Sequence, residues 1–185
     1  MGRYQPVDRD KVLDAAEHIV RTRGIAALTI DGVAKAAGIS KGGVQSGFGT
    51  KDGLIAAMYA RWVGEYDAEL AAMIGSDAPP MRRLDAHVAC TADTDAAAAD
   101  RAAGMMAALL NAPAQLVELQ DWYASRLDGI DVATPAGRRA RLAFLANEGA
   151  FLLRSFGFMR MAPEAWDEVF ADIRALMAEA DPASP

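Results

Sequence analysis

Lys41 and Gln45 stand one helical turn apart on a short polar stretch, and together they carry the chemistry by which a protein reads duplex DNA. A glutamine amide offers a donor and an acceptor side by side, matching an adenine edge in the major groove, while a lysine ammonium reaches guanine acceptors or a phosphate oxygen. Thr29, Ser40, Thr50 and Lys51 fall where helices are expected to start, so hydroxyls, backbone N–H groups and a lysine converge there as phosphate oxygens require. The three hydroxyls can equally serve as helix caps, which uses the same position. Gly42 either permits close backbone approach to DNA or simply weakens its helix, and Ser46 completes the outward face. Arg3 and Tyr4, ahead of the first helix, read as an arm along the DNA backbone or minor groove, or as a frayed tail.

These side chains need a frame, and residues 29–51, TIDGVAKAAGISKGGVQSGFGTK, supply one. Ile30, Val33, Ala34 and Ala37 recur at helical steps and make one buried face. Gly38 then ends the helix, Ile39 tucks under the turn, and Ser40 caps a second helix beginning at Lys41. If Val44 and Phe48 point inward, Lys41, Gly42, Gln45 and Ser46 point outward as a groove-facing surface. The alternative is a helical hairpin in an unrelated bundle. Asp8 caps a preceding helix over residues 9–23, with Val12, Leu13, Ala16, Ile19 and Val20 as its apolar stripe and Gly24 as its stop. The expectation is an all-α protein: a three-helix helix-turn-helix head over residues 1–50, then a larger helical body over 51–185 for ligand binding and dimerisation.

The body opens with a helix from Lys51 to about Ile74, long enough at roughly 1.5 Å per residue to leave the head and carry a displacement to it. GSDAPP at 75–80 breaks the pattern, and helices are expected over about 81–91, 95–110, 113–127, 135–156 and 163–179. Three of these open with proline, which a first helical turn tolerates. Trp62, Tyr66, Met105, Met106, Leu109, Leu110, Trp122, Tyr123, Phe144 and Phe151 are candidates to line a cavity for a small hydrophobic ligand, or are ordinary core. Glu148 interrupts LAFLANEGAFLL, and a carboxylate in such a run must be paired, exposed or waiting for a cation. With Asn147 it offers a seat to a lipophilic cation, or it is a glutamate facing solvent or a dimer edge.

One head reads only a few base pairs, so useful specificity calls for two heads on a palindrome and hence a homodimer. The last two helices are the expected interface: Leu142, Leu145, Phe151, Leu152 and Phe156 on one, Trp166, Val169, Phe170, Ile173 and Leu176 on the other. The same stripes would also serve a monomer core.

Composition is consistent with this division. The 185 residues are 52% hydrophobic with a net charge of −6. The average conceals an asymmetry, because residues 1–53 hold eight Lys and Arg against six Asp and Glu, and the remainder eleven against nineteen. A mildly basic head before an acidic body limits nonspecific adhesion to nucleic acid while leaving phosphate contacts to the head. No apolar run approaches the roughly 20 residues of a membrane span, and the start lacks a signal-peptide segment, so a cytoplasmic protein is expected. A single cysteine, Cys90, excludes an internal disulfide. His87 and Cys90 fall one turn apart near Asp85 and Asp93, too few good ligands for a structural zinc site. No nucleophile, phosphate loop or paired-carboxylate motif nominates a reaction, so neither enzyme activity, a metal nor a cofactor is expected.

The N-terminal residues resemble the TetR family of bacterial transcriptional regulators. The matching pattern runs from Val12-Leu13-Asp14-Ala15-Ala16 through Gly24 and Leu28-Thr29 to Val33-Ala34-Lys35-Ala36-Ala37-Gly38-Ile39-Ser40-Lys41-Gly42, and closes at Phe48 and Lys51-Asp52-Gly53-Leu54. Asn111-Ala112-Pro113 and residues 142–156 are similar to the body of multidrug-responsive members. The resemblance implies a repressor, released from a palindromic operator by a small ligand. One departure stands out: where family members usually carry an aromatic in the recognition helix, most often tyrosine, this chain has Gln45, Ser46 and Gly47. Several glycines there lower helix stability by about 1 kcal/mol each relative to alanine. The reading from a different class is a helical ligand carrier or protein-interaction module that no longer reads DNA sequence.

Overall fold

The first helix, α1 (Arg9–Arg23), begins where the Asp8 carboxylate accepts from the Lys11 N–H at 3.1 Å and ends at Gly24, whose φ is 75°. Its stripe of Val12, Leu13, Ala16, Ile19 and Val20 is buried, as the spacing requires. A 3-10 turn (Ile25–Ala27) and the fully buried Leu28 lead to α2 (Ile30–Ala37), whose first turn is capped by Thr29 Oγ1 accepting from Gly32 N–H at 3.0 Å. Gly38 takes the left-handed conformation (φ 68°, ψ 33°). Its N–H bonds to Lys35 O and that of Ile39 to Ala34 O, a Schellman closure that satisfies the last carbonyls of α2. Ser40 Oγ then accepts from Gly43 N–H at 3.0 Å to start α3 (Lys41–Phe48). The structure, a computed structural model, describes residues 8–178, so Arg3, Tyr4 and the residues after 178 lie outside the described part.

Beyond α3 come α4 (Lys51–Ile74), α5 (Pro80–Ala92), α6 (Ala96–Leu109), α7 (Pro113–Ser125), α8 (Pro135–Ser155) and α9 (Pro163–Ala178). The described residues hold helices and no strand. The described residues separate into two compact units, one of residues 8–64 with Arg101–Glu118, the other of Glu65–Asp100 with residues 119–178. The first unit thus takes in the beginning of α4 and much of α6 beside the three head helices. An ion network ties these helices to α1: Arg61 on α4 donates to Asp14 at 2.8 Å and Glu17 at 2.7 Å on α1, and Arg101 on α6 donates to Glu17 at 2.8 Å. Gly104 brings α6 close to α1, since a Cβ there would stand 3.3 Å from Val20 Cγ1.

In the second unit α5, α8 and α9 pack around Leu84, Val88, Ala143, Phe144, Phe170 and Ile173. α8 starts with Thr134 Oγ1 accepting from Gly137 N–H at 3.0 Å. Gly137 also lets the preceding loop close, because a Cβ there would sit 2.0 Å from Asp131 O.

Because α3 has glycine at positions 42, 43 and 47, its Ser40 cap matters more than usual. Ser40→Ala is expected to lower stability by about 1 kcal/mol and to speed amide exchange across α3. Denaturant unfolding with hydrogen exchange measures both, and unchanged protection would show that the cap does not hold the helix.

Candidate functional site

The second helix of the helix-turn-helix presents Lys41, Gly42, Gln45 and Ser46 to solvent, while Val44 is fully buried and Phe48 is 8% exposed. The polar edge expected from the sequence is thus one continuous face. Nothing lies within 4 Å of where a Gly42 Cβ would be, so that part of the face is bare backbone. Thr29, Ser40 and Thr50 all cap, the last accepting from Gly53 N–H at 3.1 Å. Capping uses an oxygen lone pair and leaves each O–H able to donate to a phosphate. Lys51 donates to Ile25 O at 3.1 Å, which uses one of its three N–H bonds and holds the start of α4 against the 3-10 turn.

Asp31 and Lys35 pair at 2.7 Å on α2, and the lysine's hydrogen bond holds the Asp31 carboxyl below the usual carboxylate range. A residue that the sequence did not point to also belongs here. Arg9 lays its guanidinium 4.3 Å from the Phe48 ring centre and donates to Gly47 O at 2.6 Å, fixing the end of the glycine-rich α3 from α1. The signal was a basic residue opening α1, whose destination lies 38 residues on.

The second unit holds a polar and aromatic cluster. His87, 3% exposed, has Tyr66 Oη 2.5 Å from Nδ1 and Glu148 Oε1 2.7 Å from Nε2. Burial is the main cause that pushes the Tyr66 phenol far above the ordinary tyrosine range, so it keeps its proton in the hydrogen bond that it shares with Nδ1. On the other side of the ring Nε2 meets the Glu148 carboxylate, which accepts its N–H. Asn147, fully buried, donates to the same Glu148 oxygen at 2.9 Å and to Thr91 Oγ1 at 3.1 Å. Tyr66, His87, Trp122, Tyr123 and Phe144 form a chain of ring contacts with neighbouring centroids 5.2–6.3 Å apart. Glu148 is therefore paired within the protein, the first of the three states its position allowed.

Beside this cluster lies a cavity of about 250 Å³ lined by Leu70, Ile74, Leu84 and His87 together with the charged Asp67, Arg83 and Arg126. Arg126 stacks 4.2 Å from the Trp122 ring centre and donates to Asp67 at 3.1 Å, and Trp122 Nε1 donates to the same carboxylate at 3.4 Å. Sequence reasoning missed Asp67, Arg83 and Arg126. The Trp122 to Arg126 spacing of one helical turn was a usable signal for the stack.

The ligand candidates fall in both units. Tyr66, Trp122, Tyr123, Phe144, Glu148 and Phe151 fall in the second unit, whereas Trp62, Met106 and Leu110 fall in the first, where Met106 is buried and Leu110 is 73% exposed at the end of α6. The dimer candidates divide too. Leu142 and Leu145 are 55% and 58% exposed on α8, and Leu152 and Phe156 are half-buried. Trp166, Phe170 and Ile173 are instead core of their own unit, because that stripe of α9 faces α5 and α8. His87, Cys90 and Asp85 point to different partners, Cys90 to Met73 and Asp85 to Arg174. Among the described residues no group of three or more His, Cys, Asp or Glu is placed to hold a metal ion, and no helix is long and apolar enough to cross a membrane.

Comparison with known families finds two matches along the chain. Residues 12–58 match "Bacterial regulatory proteins, tetR family" and residues 81–178 match "Tetracyclin repressor-like, C-terminal domain". Among solved structures, a transcriptional regulator from Rhodococcus sp. Rha1 is 23% identical with a TM-score of 0.72, covering 97% of this chain and all of the other (100%). The transcriptional regulator SCO7518 from Streptomyces coelicolor A3(2) is 17% identical with a TM-score of 0.64, over 90% of this chain and 97% of its own. The multidrug binding protein EbrR, complexed with malachite green, is 20% identical with a TM-score of 0.67, over 96% of this chain and 100% of its own. No curated protein matches the chain.

Proposed function

Because the chain belongs to the tetR family of bacterial regulatory proteins and so is a DNA-binding transcriptional regulator, we propose that it is a homodimeric repressor, seated on a palindromic operator and released by a small hydrophobic ligand. The observation that carries this reading is the α3 face: Lys41, Gly42, Gln45 and Ser46 outward over the anchors Val44 and Phe48. Lys41 and Gln45 read bases; Thr29, Ser40, Thr50 and Lys51 set register on phosphates. Two-fold pairing of protomers brings two such faces to successive major grooves, and the exposed Leu142 and Leu145 on α8 favour that helix as part of the pairing surface.

The EbrR structure holds malachite green, and a body of that fold with its own cavity supports a small hydrophobic ligand here. α4 is one unbroken helix whose first part belongs to the head's unit and whose last part lines the cavity, so a ligand that displaces its end biases the spacing of paired heads. The ligand must prefer the DNA-incompetent state by a coupling of about 1 to 3 kcal/mol. A duplex selected by the chain, placed across a promoter, is the test. Transcription should fall when the chain is present, and sedimentation should give two protomers per duplex. Raised transcription would overturn repression, and one protomer per duplex would overturn the dimer.

A further inference from the structure

The cavity of the second unit states a preference about the charge of its occupant. Its charged lining residues are Asp67, Arg83 and Arg126. Arg126 and Asp67 cancel, bonded at 3.1 Å, and the carboxylate also takes the Trp122 indole N–H at 3.4 Å. Arg83 is different. Its guanidinium donates from Nη1 to Ala78 O at 3.1 Å and from Nη2 to Asp128 O at 3.0 Å, both backbone carbonyls. Carbonyl oxygens aim a guanidinium without cancelling its charge, and three of its five N–H bonds remain. His87 brings no free polar atom, since both its ring nitrogens are taken by Tyr66 and Glu148. Glu148, the carboxylate that the sequence offered to a cation, is thereby spent inside the cluster. Apolar walls come from Leu70, Ile74 and Leu84.

Resting on the ligand-responsive reading, we propose that this cavity takes a small amphipathic acid, its oxyanion on Arg83 and its apolar part against Leu70, Ile74 and Leu84. A planar carboxylate matches the fork of a guanidinium already held in place by two carbonyls, and the partial desolvation of a half-buried arginine strengthens the pairing. A lipophilic cation of the same shape meets two guanidinium groups and one carboxylate that is already shared, so like charge works against it.

Three probes of matched shape decide the matter on the full chain by calorimetry: 4-butylbenzoate, 4-butylbenzyl alcohol and 4-butylbenzyltrimethylammonium. The benzoate should bind about tenfold tighter than the alcohol, or more, and the ammonium weakest. In Arg83→Gln the benzoate and the alcohol should bind within about twofold of each other, and Arg83→Lys should keep much of the preference. Equal or tighter binding of the ammonium, no binding of any probe, or an undiminished benzoate preference in a folded Arg83→Gln protein each overturn the assignment. The same titrations on the protein–DNA complex separate the two readings. Benzoate that binds with the stated preference and leaves the DNA bound supports the acid site and sinks ligand release; ammonium that binds tighter and frees the DNA does the reverse.

Discussion

Replacing Lys41 and Gln45 together by alanine is expected to weaken binding to a selected duplex by about a hundredfold or more, with the fold and protomer pairing intact. Each good base contact in the major groove contributes about 1 to 3 kcal/mol of discrimination, and each 1.4 kcal/mol is a factor of about ten. Both side chains are exposed and face away from Val44 and Phe48, so their loss opens no cavity in the head. The two singles should differ in kind. Gln45→Ala should relax the preference at an adenine position with the salt slope unchanged, whereas Lys41→Ala should relax it at a guanine position and, with one cation lost from the interface, also make the salt dependence shallower. A folded double variant that keeps the parent affinity would remove α3 from the reading surface.

Gly53→Ala is expected to have the largest effect on the head itself. In an ordinary helix position glycine to alanine stabilises by up to about 1 kcal/mol. Here a Cβ would stand 2.1 Å from Phe48 O and 3.3 Å from the carbonyl carbon behind it, backbone atoms that cannot rotate away. The same residue gives its N–H to the Thr50 cap, so α4 cannot shift without loosening its own start. The clash wins, and a net loss of about 2 to 3 kcal/mol follows, with separation of the end of α3 from the start of α4. Gly42→Ala is the contrasting case. Nothing lies within 4 Å of its Cβ, so folding stability should rise by about 0.4 to 1 kcal/mol while DNA affinity falls if the bare backbone approaches a groove. Denaturant unfolding of both variants beside the parent is the measurement, and a Gly53→Ala protein as stable as the parent would contradict this account of the junction.

The head was legible in the sequence because each of its boundaries is written in a residue with one strong local preference. Asp8, Thr29, Ser40 and Thr50 are short oxygen-bearing side chains that accept from the N–H three residues on, and Gly38 takes a backbone conformation that others avoid. The body's helix starts at Pro113, Pro135 and Pro163 were legible for a similar local reason. What periodicity leaves open is the identity of the surface that a stripe meets. Trp166, Phe170 and Ile173 were seen as one face of a helix, but nothing local distinguishes a neighbour in the same chain from one in a second copy, and α9 spends that face on α5 and α8. Glu148 shows the same limit. Its place in an apolar run demanded a partner, yet the partner is His87, 61 residues away on α5. Arg83 was invisible as a cavity charge for the same reason, since its two carbonyl partners lie in separate loops and carry no side-chain signature.

The central claim is that the α3 face, from each of two paired protomers, reads duplex DNA, and selection from a random duplex pool by the full chain tests it most directly. The recovered sequences should share an inverted repeat whose half-sites lie about one helical turn apart, or a multiple of that, bound with a steep salt dependence. A pool that yields no common sequence, with binding equal for all duplexes, would contradict the claim and leave the chain a helical ligand carrier with a silent head.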